Sequence, residues 1–370
     1  MYTQNDLDEA VAAGAITPES ATALRAYVDN QRSAPGADEE HFRLITGFND
    51  IFVSVAAAIL LFAVGFLGQS IGQSLGFHVD TDGPSPLAPA AIAATAWGLA
   101  MFFTARRRMA LPSILLLLAF VGGVVAAVGF TGVIAVGEQR FDGPNDGGEV
   151  VAGMIAATAA AVGALAAFVH WKRFRVPITV AAGAASVAGI VVALLASAIG
   201  NVPALKDFLL GAVLLLGVGV FLYAMRWDSS DPARVTRRSD VAFWLHLLAA
   251  PMIVHPVFTL LGLNDGNATV GEGLTVVAIY VLLGVAALAI DRRALLVSAL
   301  AYVLFALNEL FRQFGAVSLN IALTALVIGS ALLLLSAFWH QARAAVVEML
   351  PGGLRSYLPA TGSRAIPRPA

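Results

Sequence analysis

The chain has 370 residues, 59% of them apolar and only 12% charged, with a formal net charge of -2 and a mean hydropathy of +0.82. A soluble fold uses about 25% charged residues and needs polar side chains to coat its exterior, so lipid must surround most of this chain. The slight negative charge argues against nucleic acid as a partner, and the lack of cysteine excludes disulfides, thiolate metal sites and thiol catalysis.

From the N-terminus, Leu7 and Val11 at helical spacing predict a short helix ended by Gly14. Thr17 before Pro18 and Glu19 predicts the cap of a second helix, with Ala21, Leu24 and Val28 on one apolar face. Ser33 to Gly36 breaks that helix, and a charged third helix from Asp38 is expected to lead into the first span. Residues 1–45 therefore read as a cytosolic helical hairpin. It is too small to bury much core, so it needs the membrane face or a protein partner to dock on. Acidic side chains and the lack of an apolar core after a basic start predict no cleavable leader, leaving the first span as the targeting signal.

A hydrocarbon core about 30 Å thick takes roughly 20 apolar residues per helix. Such runs fall at 51–72, 87–104, 110–136, 150–170, 176–199, 206–225, 241–261, 273–290, 294–312 and 317–339. The expected fold is thus all-α, a polytopic transmembrane helix bundle of about ten spans over residues 46–340. Residues 341–370, with Pro351, Pro359, Pro367 and Pro369, read as a disordered cytosolic tail.

The basic residues orient it. Of 22 Lys and Arg, all but Arg140, Lys206 and Arg312 fall on one side when the N-terminus is placed inside, so both termini are expected in the cytoplasm. Outer loops carry acids instead, among them Asp80, Glu138, Asp142 and Asp265. Trp171, Trp227, Trp244 and Trp339 fall at inner ends, as interfacial rings do, whereas Trp97 lies within the second span and reads as a packing residue. Lysine occurs only at 172 and 206 while Ala and Gly are abundant, a bias of GC-rich bacterial genomes, so a bacterial inner membrane is the expected location.

Polar residues inside spans are the candidate site. Asn308, Glu309, Arg312 and Gln313 cluster in the ninth span, with Glu309 and Arg312 at i, i+3 on one face. An ionisable pair at that depth is either functional or a headgroup anchor that snorkels, and both readings stand. His255 sits between Pro251 and Pro256, where lost backbone donors could open a pocket for a proton relay; the alternative is a hydrogen-bonded packing residue, and His246 lies nearer the inside. Gly68, Gly72 and Gly76 offer a smooth face for a close helix neighbour within the chain. Gly217 and Gly219 follow no strand and do not signal a nucleotide site. Gln69, Gln73, Asn201, Asp207, Glu272 and Asn320 join the ninth-span cluster on the outer side, either as a polar vestibule or as scattered loop-edge residues. No HExxH, catalytic triad or phosphate loop occurs, so neither a metal nor a cofactor is expected, and enzyme activity has no motif behind it.

Residues Leu7 to Val28, with Gly14, Ile16, Thr17, Pro18 and Glu19, and the basic turns Arg106-Arg107-Arg108 to Pro112 and Arg173-Phe174-Arg175 to Pro177 carry a resemblance. In them the chain resembles uncharacterised bacterial multi-pass membrane proteins of the domain-of-unknown-function class that have a cytosolic N-terminal helical hairpin. The resemblance implies a class of membrane protein and assigns no residues. Ten spans with both ends inside are also similar to drug/metabolite transporters made of two inverted five-helix halves, though residues 51–200 and 206–339 share no sequence match. Small-solute transport is the leading expectation. The alternative is a sensor or assembly factor acting through the hairpin.

Overall fold

The computed structural model describes residues 9–24, 48–80, 83–137, 140–141, 147–200, 204–231, 234, 236–262, 270–292, 296, 300, 303–304, 320–355 and 358. Among them the chain is helical with no strand. In the N-terminal unit, Gly14 takes φ +69 and closes the first helix as predicted. The amide of Ala15 bonds Ala10 O at 2.9 Å and that of Gly14 bonds Val11 O at 3.0 Å, the paired bonds that tie off a helix end around a left-handed residue. Thr17 caps the next helix, its Oγ1 accepting from the Ser20 amide at 3.2 Å.

The bundle consists of α1 (Phe48–Ser74), α2 (Leu87–Phe103), α3 (Ala110–Val136), α4 (Gly148–Phe174), α5 (Ile178–Ile199), α6 (Leu205–Ser229), α7 (Arg237–Leu260), α8 (Val270–Ile290), α9 (Asn320–Ala337) and α10 (Trp339–Met349). Six of these, α1 and α3 to α7, are long and apolar enough to cross a membrane, and α2 and residues 274–290 of α8 are shorter apolar helices. The first eight fall on the first eight runs expected from hydropathy. The ninth run, 294–312, lies almost wholly outside the described residues.

Size sorts the side chains in the way lipid demands. Ala96, Ala100, Ala167, Ala224, Ala242, Ala249 and Ala250 are buried, whereas Phe48, Phe52, Phe62 and Phe66 point outward. Without water to drive them together, membrane helices gain by close approach of small residues, and large apolar side chains meet acyl chains at no cost. The glycines do this on α1. A Cβ on Gly68 would lie 2.6 Å from Leu87 O and one on Gly72 would lie 1.8 Å from Ser85 Oγ, so this face packs inside the chain as the sequence suggested. Gly76 does not belong to that face. With φ +67 it terminates α1, the Phe77 amide bonding Gly72 O at 2.8 Å. Gly217 is likewise a packing glycine, held where a Cβ would come within 2.8 Å of Met252 on α7. The Met252 carbonyl is the one that Pro256, lacking an N–H, cannot bond, and α7 nonetheless continues through both Pro251 and Pro256.

α9 falls on the expected tenth run, 317–339, but the C-terminal end departs from the expected tail. α9 stops at Ala337, and α10 leaves it at 76°. Helix therefore runs past residue 340, where the hydropathy pattern placed the start of a disordered tail. The reason is burial: Trp339, Arg343 and Val347, four residues apart, form an inward stripe on α10. Residues 359–370 of that tail lie outside the described residues.

Candidate functional site: a buried ionic cluster

The connections that carry most of the basic residues close one end of the bundle, and there the second half of the chain buries its charges. Asp228, in the last turn of α6, is 2% exposed and Arg292, just past α8, is also 2% exposed. The Arg292 guanidinium grips Asp228 with two donors, Nη2 to Oδ1 and Nε to Oδ2 at 3.2 Å, the planar fork that matches a carboxylate. Nη2 also donates to Ser239 O at 3.3 Å and Oγ at 3.2 Å in the first turn of α7. His246, fully buried one helical stretch further along α7, stands with Nε2 3.0 Å from Asp228 Oδ2. With Asp228 ionised, as the arginine fork requires, Nε2–H donates and the buried Nδ1 has no hydrogen-bond partner among the described residues.

A second acid, Asp291, joins three further groups. Its Oδ2 accepts from Arg234 Nη1 at 2.6 Å, its Oδ1 accepts from Trp339 Nε1 at 2.7 Å, and Arg343 Nε lies 3.7 Å from Oδ1. Arg234 Nη2 also bonds the Ile290 carbonyl at 3.2 Å, covering an open acceptor at the end of α8. Beside it, Asp231 Oδ2 accepts from both the amide and hydroxyl of Thr236, at 2.8 Å and 2.7 Å, and Thr236 caps α7 by accepting from Arg238 N at 3.2 Å.

The backbone explains how Asp291 and Arg292 come to face inward. Asp291 has φ +56 at the end of α8, its amide bonds Leu288 O at 3.3 Å, and the Arg292 amide bonds Ala287 O at 2.9 Å. Glycine usually fills this left-handed position, and aspartate is among the few side chains that tolerate it. The reversal turns both charges back under the helix end. Next to them lies an apolar layer of Ala250, Ala287, Leu288, Ile290 and Leu296, with Phe221 edge-on to the His246 ring at a centroid distance of 5.2 Å.

In the first half the corresponding end is closed by rings. His170 is fully buried in α4, its Nδ1 3.2 Å from Thr179 Oγ1, and Trp97, Phe120 and Phe174 pack around it at centroid distances of 6.2, 6.0 and 4.6 Å. Trp97 thus packs as the sequence implied. The basic side chains described in this half are exposed, and four lie over aromatic faces, among them Arg107 over Phe102 at 5.6 Å and Arg175 over Trp171 at 5.6 Å.

Of the residues singled out in the sequence, Asn308, Glu309, Arg312 and Gln313 lie outside the described residues. His255 is exposed on α7, while Pro256 beside it is buried. Gln69 is bound to a loop, its amide bonding Gly83 O at 2.9 Å and its carbonyl accepting from Ser85 N at 2.8 Å. Asp207 is exposed in the first turn of α6. Trp339 is not an interfacial ring but a 2% exposed donor in the cluster. Sequence reasoning passed over Asp228, Asp291 and Arg292 because charges beside a basic turn read as loop residues. The available signal was an acid at the last turn of a span, four residues before a proline, facing another acid–arginine pair two spans later.

The geometry defines an α-helical membrane protein with a dry ion-pair cluster at one end. No protein-family model, curated protein or solved structure matches the chain.

Proposed function

We propose that the chain is a bacterial inner-membrane protein of about ten spans, with both termini cytoplasmic, and that it carries a small solute across the bilayer. The observation behind this reading is the ionic cluster binding the ends of α6, α7, α8 and α10. Buried ion pairs are poor glue, because desolvation offsets most of their attraction and apolar side chains of equal volume often hold a fold as well. They suit a closure that must open. Dry, the pairs lock four helix ends together; once water enters, both partners are hydrated and the ends can separate, giving two discrete arrangements. The cluster then acts as the cytoplasmic gate, the Ala250 to Leu296 layer as its plug, and the 76° break between α9 and α10 as a joint beside it.

The absence of native cysteine makes the test direct. Cysteine placed at Ala250 should resist a membrane-impermeant maleimide added from the cytoplasmic side in an otherwise unaltered chain. Adding Asp228→Asn should raise the labelling rate about tenfold, the equivalent of about 1.4 kcal/mol of lost closure. Unchanged protection in a normally accumulating double variant would make the cluster a static clamp and remove the support for transport. The alternative is a sensor or assembly factor acting through the N-terminal hairpin, which the caps at Gly14 and Thr17 favour. Deleting residues 1–45 should then abolish the cell's phenotype while the A250C protection stays intact.

A further inference from the structure

At the opposite end of the bundle, α3 and α4 leave a groove of about 560 Å³ between their outer faces, open to the outside. Its walls are apolar: Ala135 and Val136 on α3 face Val150, Val151, Met154 and Ile155 on α4. The two hydroxyls in the groove are already spent on their own helices, Thr131 Oγ1 on Ala127 O at 2.7 Å and Thr158 Oγ1 on Met154 O at 2.8 Å. The occupant is therefore met mostly by methyl and methylene groups, with no hydroxyl proton left to donate to a solute. A charge stands at the mouth. Arg140 is exposed, its amide bonds Gly137 O at 3.2 Å just past the end of α3, and its carbonyl lies where a Cβ on Gly148 would be 2.6 Å away in the first turn of α4. It thus bridges the tops of the two helices that wall the groove. It is also one of three basic residues that break the segregation of charge to the other end, and no protein partner holds it among the described residues.

An apolar slot reaching into the hydrocarbon, with a cation at headgroup level, is complementary to one amphiphile with an anionic head. We propose that the α3–α4 groove binds a membrane phospholipid, one acyl chain lying between Ala135 and Met154 and the phosphate held by Arg140. The volume falls within the roughly 300–1,000 Å³ of ordinary ligand pockets. Guanidinium and phosphate match in charge and geometry, so the arginine discriminates the head while the slot takes any chain.

The test uses the purified full-length chain, stripped in detergent, re-exposed to phosphatidylglycerol or to diacylglycerol of the same acyl chains, and examined by native mass spectrometry. One phospholipid per chain is expected to persist, with diacylglycerol retained about tenfold less. Arg140→Gln should bring the phospholipid down to the diacylglycerol level. Ala135→Phe, which grows from an exposed position into the slot, should abolish retention of both; Thr158→Phe on the facing helix serves if A135F fails to accumulate. Retention by A135F and T158F equal to that of the parent would show that the groove is not the seat. Equal retention of the two lipids would show that Arg140 reads no phosphate. Either result overturns the proposal, and neither bears on the A250C labelling that tests the gate.

Discussion

The two halves of the bundle close the same end with opposite chemistry. In the first, His170 sits among Trp97, Phe120 and Phe174, and the arginines stay outside over ring faces. In the second, Arg234, Arg292 and Arg343 go inward onto Asp228 and Asp291. Arginines that satisfy the same topological rule thus serve two physical purposes. Packed rings gain from dispersion with no charge to hydrate, whereas buried charges tolerate only the paired arrangement or a wet, separated one. On the proposed gate, the first half stays and the second switches.

The strongest challenge to that contrast is Asp228→Ala, which leaves Arg292 buried without its carboxylate. It should cost about 3–5 kcal/mol in an SDS-titration unfolding experiment, and a loss no larger than that of an exposed-arginine variant would erase the distinction between the halves. Next comes Trp339→Phe, which keeps the ring and removes the donor to Asp291. About 1–3 kcal/mol is expected from the acceptor left unsatisfied, read from the same titration. The smallest effect belongs to the first half: Arg107→Ala should change stability by less than about 1 kcal/mol, since an exposed cation over a ring is weakly held. A cost matching that of W339F would mean that the first half depends on its charges too.

Much of the scaffold was legible before any coordinates. Hydropathy located the helices from Phe48 to Ile290, and Gly14, Thr17 and Gly68 did what their chemistry implies, because apolar length, left-handed backbone and close approach are local properties. The cluster was not legible. Asp228 and Arg292 are 64 residues apart, and their pairing depends on how α6, α7 and α8 assemble. Asp291 hid behind a different rule, since a left-handed cap is normally read from glycine. The start of the tail was misplaced for a similar reason: α10 carries His340, Gln341, Arg343 and Glu348 among its apolar residues, and it is held by Trp339 and Arg343 reaching the Asp291 carboxylate at the end of another helix.

The attachment of α10 to Asp291 makes the C-terminal segment a handle. Trp339 and Arg343, one turn apart, both hold the residue that caps α8, so torque on α10 is delivered to the acid that also binds Arg234. On the proposed gate, anything that grips the chain beyond Met349 would load or relax the lock without touching the transmembrane helices.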